Sequence, residues 1–242
     1  MAARIRFLPL LVVGMLFAAC TAASSPSPET SHGPAGSQPP LASAPGEPAP
    51  KPCVPGFVCG ADLVPGNYTS TSTGASITFT LAAEGWSGSE DIQGEGFALF
   101  NDAVGGQHGI SVVAYDGEVF ADVCSGGPKE MIGAAPADFI AFLAGVEGVT
   151  AEEPVDATVA ERPAIRLDLT TVSPCPDDRM WLWTFPENRD FHFNDAERVR
   201  VYAVDAGGAT VIIVIEAFPE ADYVVLLQKA EEVFASMTIA PA

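Results

Sequence analysis

Trp181, Trp183 and Phe185 alternate with Met180, Leu182 and Thr184. In a β-strand that spacing sends all three aromatic rings to one face. Such a row can stack on a sugar, on a peptidoglycan fragment or against a partner protein. The expected reading is that it is core, since aromatic side chains dominate core energetics, with the open ligand face as the alternative. What decides is whether helices cover this face or the Met180/Leu182 face. Acid–base chemistry has few carriers here. His32 falls in a Pro-rich stretch, His108 in a Gly-rich turn and His192 between Phe191 and Phe193, positions that suit surface or packing roles. Gly85-Trp86-Ser87-Gly88 lacks the closing glycine of a nucleophile elbow, because Ser89 stands there. Gly105-Gly106 and Gly207-Gly208 lack the lysine and the helix of a phosphate-binding loop. Asp91, Gln93 and Glu95 alternate like oxygen ligands for Ca²⁺, but without EF-hand spacing; they and Asp177-Asp178 read as solvated acidic turns. The residues predict a binding module without catalytic residues, cofactor or metal. The competing classes are an envelope-acting hydrolase and a carrier of a small apolar ligand, the latter requiring a large apolar cavity.

The five cysteines divide into one and four. Arg4 and Arg6 precede an apolar run, Phe7 to Ala19, that is too short to span a bilayer. Phe17-Ala18-Ala19-Cys20 then gives way to polar, Pro-rich sequence, an order that marks a secretory signal over residues 1–19. A cysteine directly after two small residues resembles the lipobox of bacterial lipoproteins, with Phe17 in place of the usual Leu. The resemblance implies that Cys20 carries a diacylglyceryl group and becomes the mature N-terminus. The protein would then sit on the outer face of the cytoplasmic membrane.

Cys53, Cys59, Cys124 and Cys175 form an even set in an exported chain, which favours disulfides over metal ligation. Three pairings are open. A loop closed by Cys53 and Cys59 around Val54-Pro55-Gly56 is geometrically easy; it leaves Cys124 and Cys175, whose closure is worth on the order of 4 kcal/mol. No Cys-x-x-Cys occurs, so the set does not have zinc-site spacing.

Thr21 to Pro52 contains nine Pro among Ser, Ala, Gly and Thr, with almost no large apolar side chain. Such a segment cannot bury enough surface to offset its ordering entropy, so 20–52 is predicted to be a disordered tether. It would reach about 100 Å if polyproline-like and roughly 30 Å as a coil. Beyond it, 53–242 has the size of one domain. The chain carries 11 basic and 31 acidic residues. Loss of the signal removes Arg4 and Arg6 and no acid, leaving 9 against 31, a net charge of −22. That field repels nucleic acid and anionic headgroups, and suits solubility or a cationic partner.

Period-2 patterning predicts strands around Tyr68 and over Ile77 to Leu81, Phe97 to Phe100, Gly109 to Tyr115, Val155 to Val159 and Ala164 to Thr170. Further strands fall over Met180 to Phe185 and Arg198 to Asp205. The strongest, Thr210 to Ile215, follows the hairpin turn Asp205-Ala206-Gly207-Gly208. Pro136 is placed to open a helix, with Phe139, Phe142, Leu143 and Val146 as its apolar stripe. Pro219 is read as opening a second, with Glu220 and Asp222 on its dipole and a stripe from Tyr223 through Leu226, Leu227, Ala230 and Phe234 to Met237. The sum is α+β: a mostly antiparallel sheet with two helices packed on one face.

Gly66-Asn67-Tyr68-Thr69, Ile77-Thr78-Phe79-Thr80-Leu81 and Gly85-Trp86 together resemble a pattern of uncharacterised actinobacterial-type lipoproteins and secreted proteins. Asp122-Val123-Cys124, the strand Pro163 to Leu169, Cys175 before the Trp181/Trp183 strand, and the ending Ala230 to Met237 agree with it. The resemblance covers nearly all of 53–242 and extends distantly to PsbP-like α/β/α folds. It implies a non-enzymatic assembly or interaction role and a pairing of Cys124 with Cys175, and it transfers no catalytic residue. The expected partners are therefore the membrane, through Cys20, and an envelope protein or glycan, not nucleic acid.

Overall fold

The computed structural model describes residues 56–89, 91–185 and 189–241, all within one compact unit. The signal, Cys20, the tether and Cys53 lie outside the described residues. In chain order the described residues form β1 (Asp62–Leu63), β2 (Gly66–Ser70), β3 (Ala75–Leu81), β4 (Trp86–Gly88), β5 (Gly96–Asn101), β6 (His108–Tyr115), β7 (Glu118–Phe120) and β8 (Lys129–Met131). Helix α1 (Pro136–Gly145) follows. Then come β9 (Val149–Ala151), β10 (Val155–Val159), β11 (Arg162–Thr171), β12 (Arg179–Phe185), β13 (Arg189–Asn194), β14 (Arg198–Asp205) and β15 (Thr210–Ala217). Helix α2 (Tyr223–Phe234) and β16 (Thr238–Pro241) end the fold. The protein is α+β, and every strand pairing among the described residues is antiparallel.

The central sheet runs β1-β4-β5-β6-β15-β14-β11-β10, with β9 also on β11. Its middle strand, β15, is Thr-Val-Ile-Ile-Val-Ile-Glu-Ala, buried at every position but Glu216. Alternate residues of a strand face opposite ways, so a run without polar alternation needs cover on both sides. The structure supplies it. Val211, Ile213 and Ile215 pack in one core with Leu226, Ala230 and Val233 of α2 and with Tyr68, Ile77 and Phe79 of the small sheet β16-β3-β2. Ile212 and Val214 pack in a second core with Phe139, Ile140 and Leu143 of α1 and with the sheet β13-β12-β7-β8. The two helices thus lie on opposite faces, not on one as patterning led us to expect. Periodicity marks the apolar stripe of each helix; it carries no information about which side of the sheet receives it.

Pro136 does open α1, and the Asp138 carboxylate accepts from the Ala135 N–H at 3.3 Å. Pro219 does not open α2. It sits in a turn closed by Ala221 N–H to Phe218 O, and the helix begins after Asp222, whose Oδ1 accepts from the N–H groups of Val224 and Val225 at 3.1 Å each. A side chain that satisfies two orphan donors fixes a helix start more firmly than a missing donor does. The stripe of α2 gains Val233, and Met237 lies beyond the helix end, still buried.

Candidate functional site

β12 is not an open aromatic face. Trp183 is 0% exposed and Phe185 is buried. The Trp183 ring stacks on Phe191 at 4.1 Å and meets the edge of Phe139 at 5.0 Å. The reading of three rings on one side presumes a regular pleat. Against β13, however, Trp181 pairs with His192 and Trp183 with Phe191, so two steps on β12 answer one on its partner. That bulge breaks the alternation. Only Trp181 stays partly open, its ring beside His192 at 5.1 Å and under the Arg179 guanidinium at 5.4 Å.

The remaining sequence candidates scatter. His108 Nε2 accepts from the Asn101 N–H at 3.0 Å, which leaves Nδ1 to donate to the carbonyls of Gly105 and Gly106; this ring ties down a loop. Asp91 accepts from the Ser70 hydroxyl at 3.0 Å. Asp177 accepts from the Arg179 N–H, within the turn that precedes β12. Among the described residues no group of three His, Cys, Asp or Glu is placed to hold a metal ion. Cys124 and Cys175 are joined in a disulfide with Cα atoms 5.1 Å apart. Cys59 is disulfide-bonded as well.

What the fold brings together is a cavity of about 510 Å³ between the central sheet and the β12–β13 hairpin. Its floor is Gly96 and Ala98 of β5, Ser111 of β6 and Glu216 of β15. Small side chains there leave the volume that larger ones would fill. Gly96 is required for a second reason: its φ is +130°, and a Cβ would run into the Val112 carbonyl. Gly109, opposite Glu216 in the β6–β15 register, leaves room for the carboxylate; a Cβ there would stand 3.4 Å from Glu216 Oε1. Phe185, Asp190, Phe191 and His192 close the cavity from the hairpin, and Glu95 from the loop before β5.

Glu95, Asp190 and Glu216 place three carboxylates along this space. Burial, reinforced by nearby Glu197, pushes the Glu216 carboxyl up to about 8. Glu197 itself is 1% exposed. Its Oε1 accepts from Asn194 Nδ2 at 2.7 Å, and its Oε2 has no hydrogen-bond partner. Burial outweighs the Asn194 hydrogen bonds and pushes this carboxyl up to about 7. Burial, helped by Arg179 and opposed by Asp177, holds the His192 imidazole below its usual value, so it is neutral at physiological pH.

A carboxyl raised in the fold above its unfolded value binds protons more tightly folded than unfolded. The stabilisation it gives is complete below about pH 4.5 and disappears as pH climbs through 7. We therefore expect wild-type stability to fall between about pH 5 and 8. In Glu197→Gln that fall should be shallower by on the order of 3 kcal/mol, read from urea midpoints across the range. Parallel pH curves for the two proteins would contradict this account of Glu197.

Sequence reasoning missed Glu216, Glu197 and Asp190. A signal existed for the first, since Glu216 is the only ionisable residue in the run Thr210–Ala217, whose other positions are buried. No family model matches this sequence, and no curated protein does either. Among solved structures, the chain is similar to cyanobacterial PsbP (CyanoP) from Synechocystis sp. PCC 6803, with 12% identity over 79% of this chain and 99% of that one, and a TM-score of 0.38.

Proposed function

We propose that the protein is a non-catalytic binding module of the bacterial cell envelope, lipid-anchored through Cys20 on the outer face of the cytoplasmic membrane. The folded domain captures a small organic cation. The observation that carries this reading is the cavity between β5–β6 and β13, where the carboxylates of Asp190 and Glu216 meet Phe185 and Phe191. Carboxylates neutralise an ammonium or guanidinium group, and ring faces attract it. A bare metal ion fits less well, because the carboxylates are not gathered as a ligand set. The lipobox-like Phe17-Ala18-Ala19-Cys20, the Pro-rich 20–52 and the actinobacterial-type lipoprotein pattern of the domain support the anchor and the address.

Because Glu216 is mostly protonated at neutral pH, a cation that pairs with it displaces a proton. Titration of the full chain in detergent with spermidine, choline and arginine amide should show saturable binding of at least one. Proton release should accompany it, and affinity should rise from about pH 6 to 9. Glu216→Gln should weaken binding by about tenfold or more, the scale of a lost charged pair. Absence of saturable binding, or equal affinity in Glu216→Gln, would refute the cation reading. The anchor is tested separately: a fatty-acid analogue should label wild type and not Cys20→Ala, and equal labelling removes it.

A further inference from the structure

On the other face of the central sheet, β11 and β14 carry Arg166, Arg198 and Arg200, three of the chain's eleven cationic residues, around a second cavity of about 480 Å³. The register places Asp168 opposite Arg200 and Thr170 opposite Arg198, so these side chains share one face. We propose that this cluster is a binding site for a phosphoryl group, separate from the acidic cavity.

One carboxylate cannot satisfy this cluster. Arg200 Nε donates to Asp168 Oδ1 at 2.6 Å. Arg166 Nε stands 3.1 Å from Asp168 Oδ2, yet makes no hydrogen bond, and the atom is buried. Arg198 has no ion pair among the described residues; its guanidinium lies 4.9 Å from the ring of Tyr223, the first residue of α2. Glu152, at the rim, brings the acids to two against three arginines. In a chain with net charge −20, a local surplus of positive charge marks a place built to meet an anion.

The donor geometry selects among anions. A guanidinium presents a planar fork of donors that matches carboxylate and phosphate oxygens. Both guanidiniums next to Asp168 engage it through Nε, which leaves their outer forks for a ligand. Three forks, with the hydroxyls of Thr150, Thr170 and Tyr223 around them, outnumber the two oxygens of a carboxylate. They suit the three oxygens of a phosphoryl group. Burial pushes the Tyr223 phenol up to about 12, so it remains a donor. The negative field of the whole chain opposes approach to an anionic bilayer, which favours a free phosphorylated ligand over a lipid headgroup.

The test is calorimetric titration of the full chain in non-ionic detergent with inorganic phosphate and glycerol phosphate. Mixed micelles containing phosphatidylglycerol, with phosphatidylcholine as control, form a second arm. Saturable binding of a soluble phosphate is expected, weakened about tenfold by Arg198→Gln and again by Arg166→Gln, the scale of a charge-assisted contact. Both side chains reach solvent and Arg200 stays paired, so melting temperatures should remain near wild type. Binding confined to phosphatidylglycerol micelles and lost in the variants would keep the site and assign its ligand to the membrane. No saturable binding in either arm, or unchanged affinity in both arginine variants, overturns the proposal. Spermidine titration of the same variants should match wild type, so failure here is distinguishable from failure of the acidic cavity.

Discussion

Trp183→Ala is expected to cost about 4 kcal/mol of stability, a large part of what holds a domain of this size together. The indole is fully buried and sits where three elements meet: Phe139 of α1 at its edge, Phe191 of β13 against its face and Phe185 further along β12. Truncation leaves a void that backbone hydrogen-bonded on both sides of β12 cannot collapse to fill. Trp183→Phe should cost much less, because a ring survives and the indole N–H, buried without a partner, is removed. Trp181→Ala, at a half-exposed position, should cost a minor fraction of the Trp183→Ala loss. Urea midpoints of the three variants measure this order. A Trp183→Ala protein as stable as Trp181→Ala would mean that the ring is not core.

Breaking the Cys124–Cys175 bond should cost a comparable amount, about 4 kcal/mol from loop entropy for a sequence separation of 51. The bond has a structural consequence beyond entropy. Cys124 follows β7 and Cys175 lies between β11 and β12, so the bond staples the β13-β12-β7-β8 sheet to the connection leaving the central sheet. Wild type in reductant and the Cys124→Ser/Cys175→Ser double variant should therefore lose stability together. Hydrogen exchange should rise first in β12 and β13, which also roof the acidic cavity. Unchanged midpoints after verified reduction would dismiss the staple.

Much of the fold is local and was legible. Val155–Val159 and Arg198–Asp205 are strands over the residues that alternation predicts, and α1 begins at Pro136. Alternation and a first-turn proline are properties of a few neighbouring residues, and nothing distant overrides them here. At α2 the local signals compete: Pro219 and Asp222 both mark a helix start, and the choice falls to Asp222 because Phe218 and Asp222 are held by backbone bonds to Gln107 and Val104. β13 escaped notice because Phe191-His192-Phe193 reads as packing until the bulge in β12 gives it a partner.

The candidate site was less legible than the strands that build it. Sequence by itself determined the α+β class, most of the long strands, the even set of four cysteines beyond Cys20 and the excess of acid. Tertiary structure alone decided that α1 and α2 cover opposite faces, that Trp183 rather than Trp181 is core, that Glu216 of a buried strand lies beside a cavity, and that three arginines gather around Asp168. The reason is physical. Patterning records which residues leave water, a property each segment carries alone, whereas a cavity or a charge cluster depends on the strand order β6-β15-β14-β11. That order joins residues a hundred positions apart.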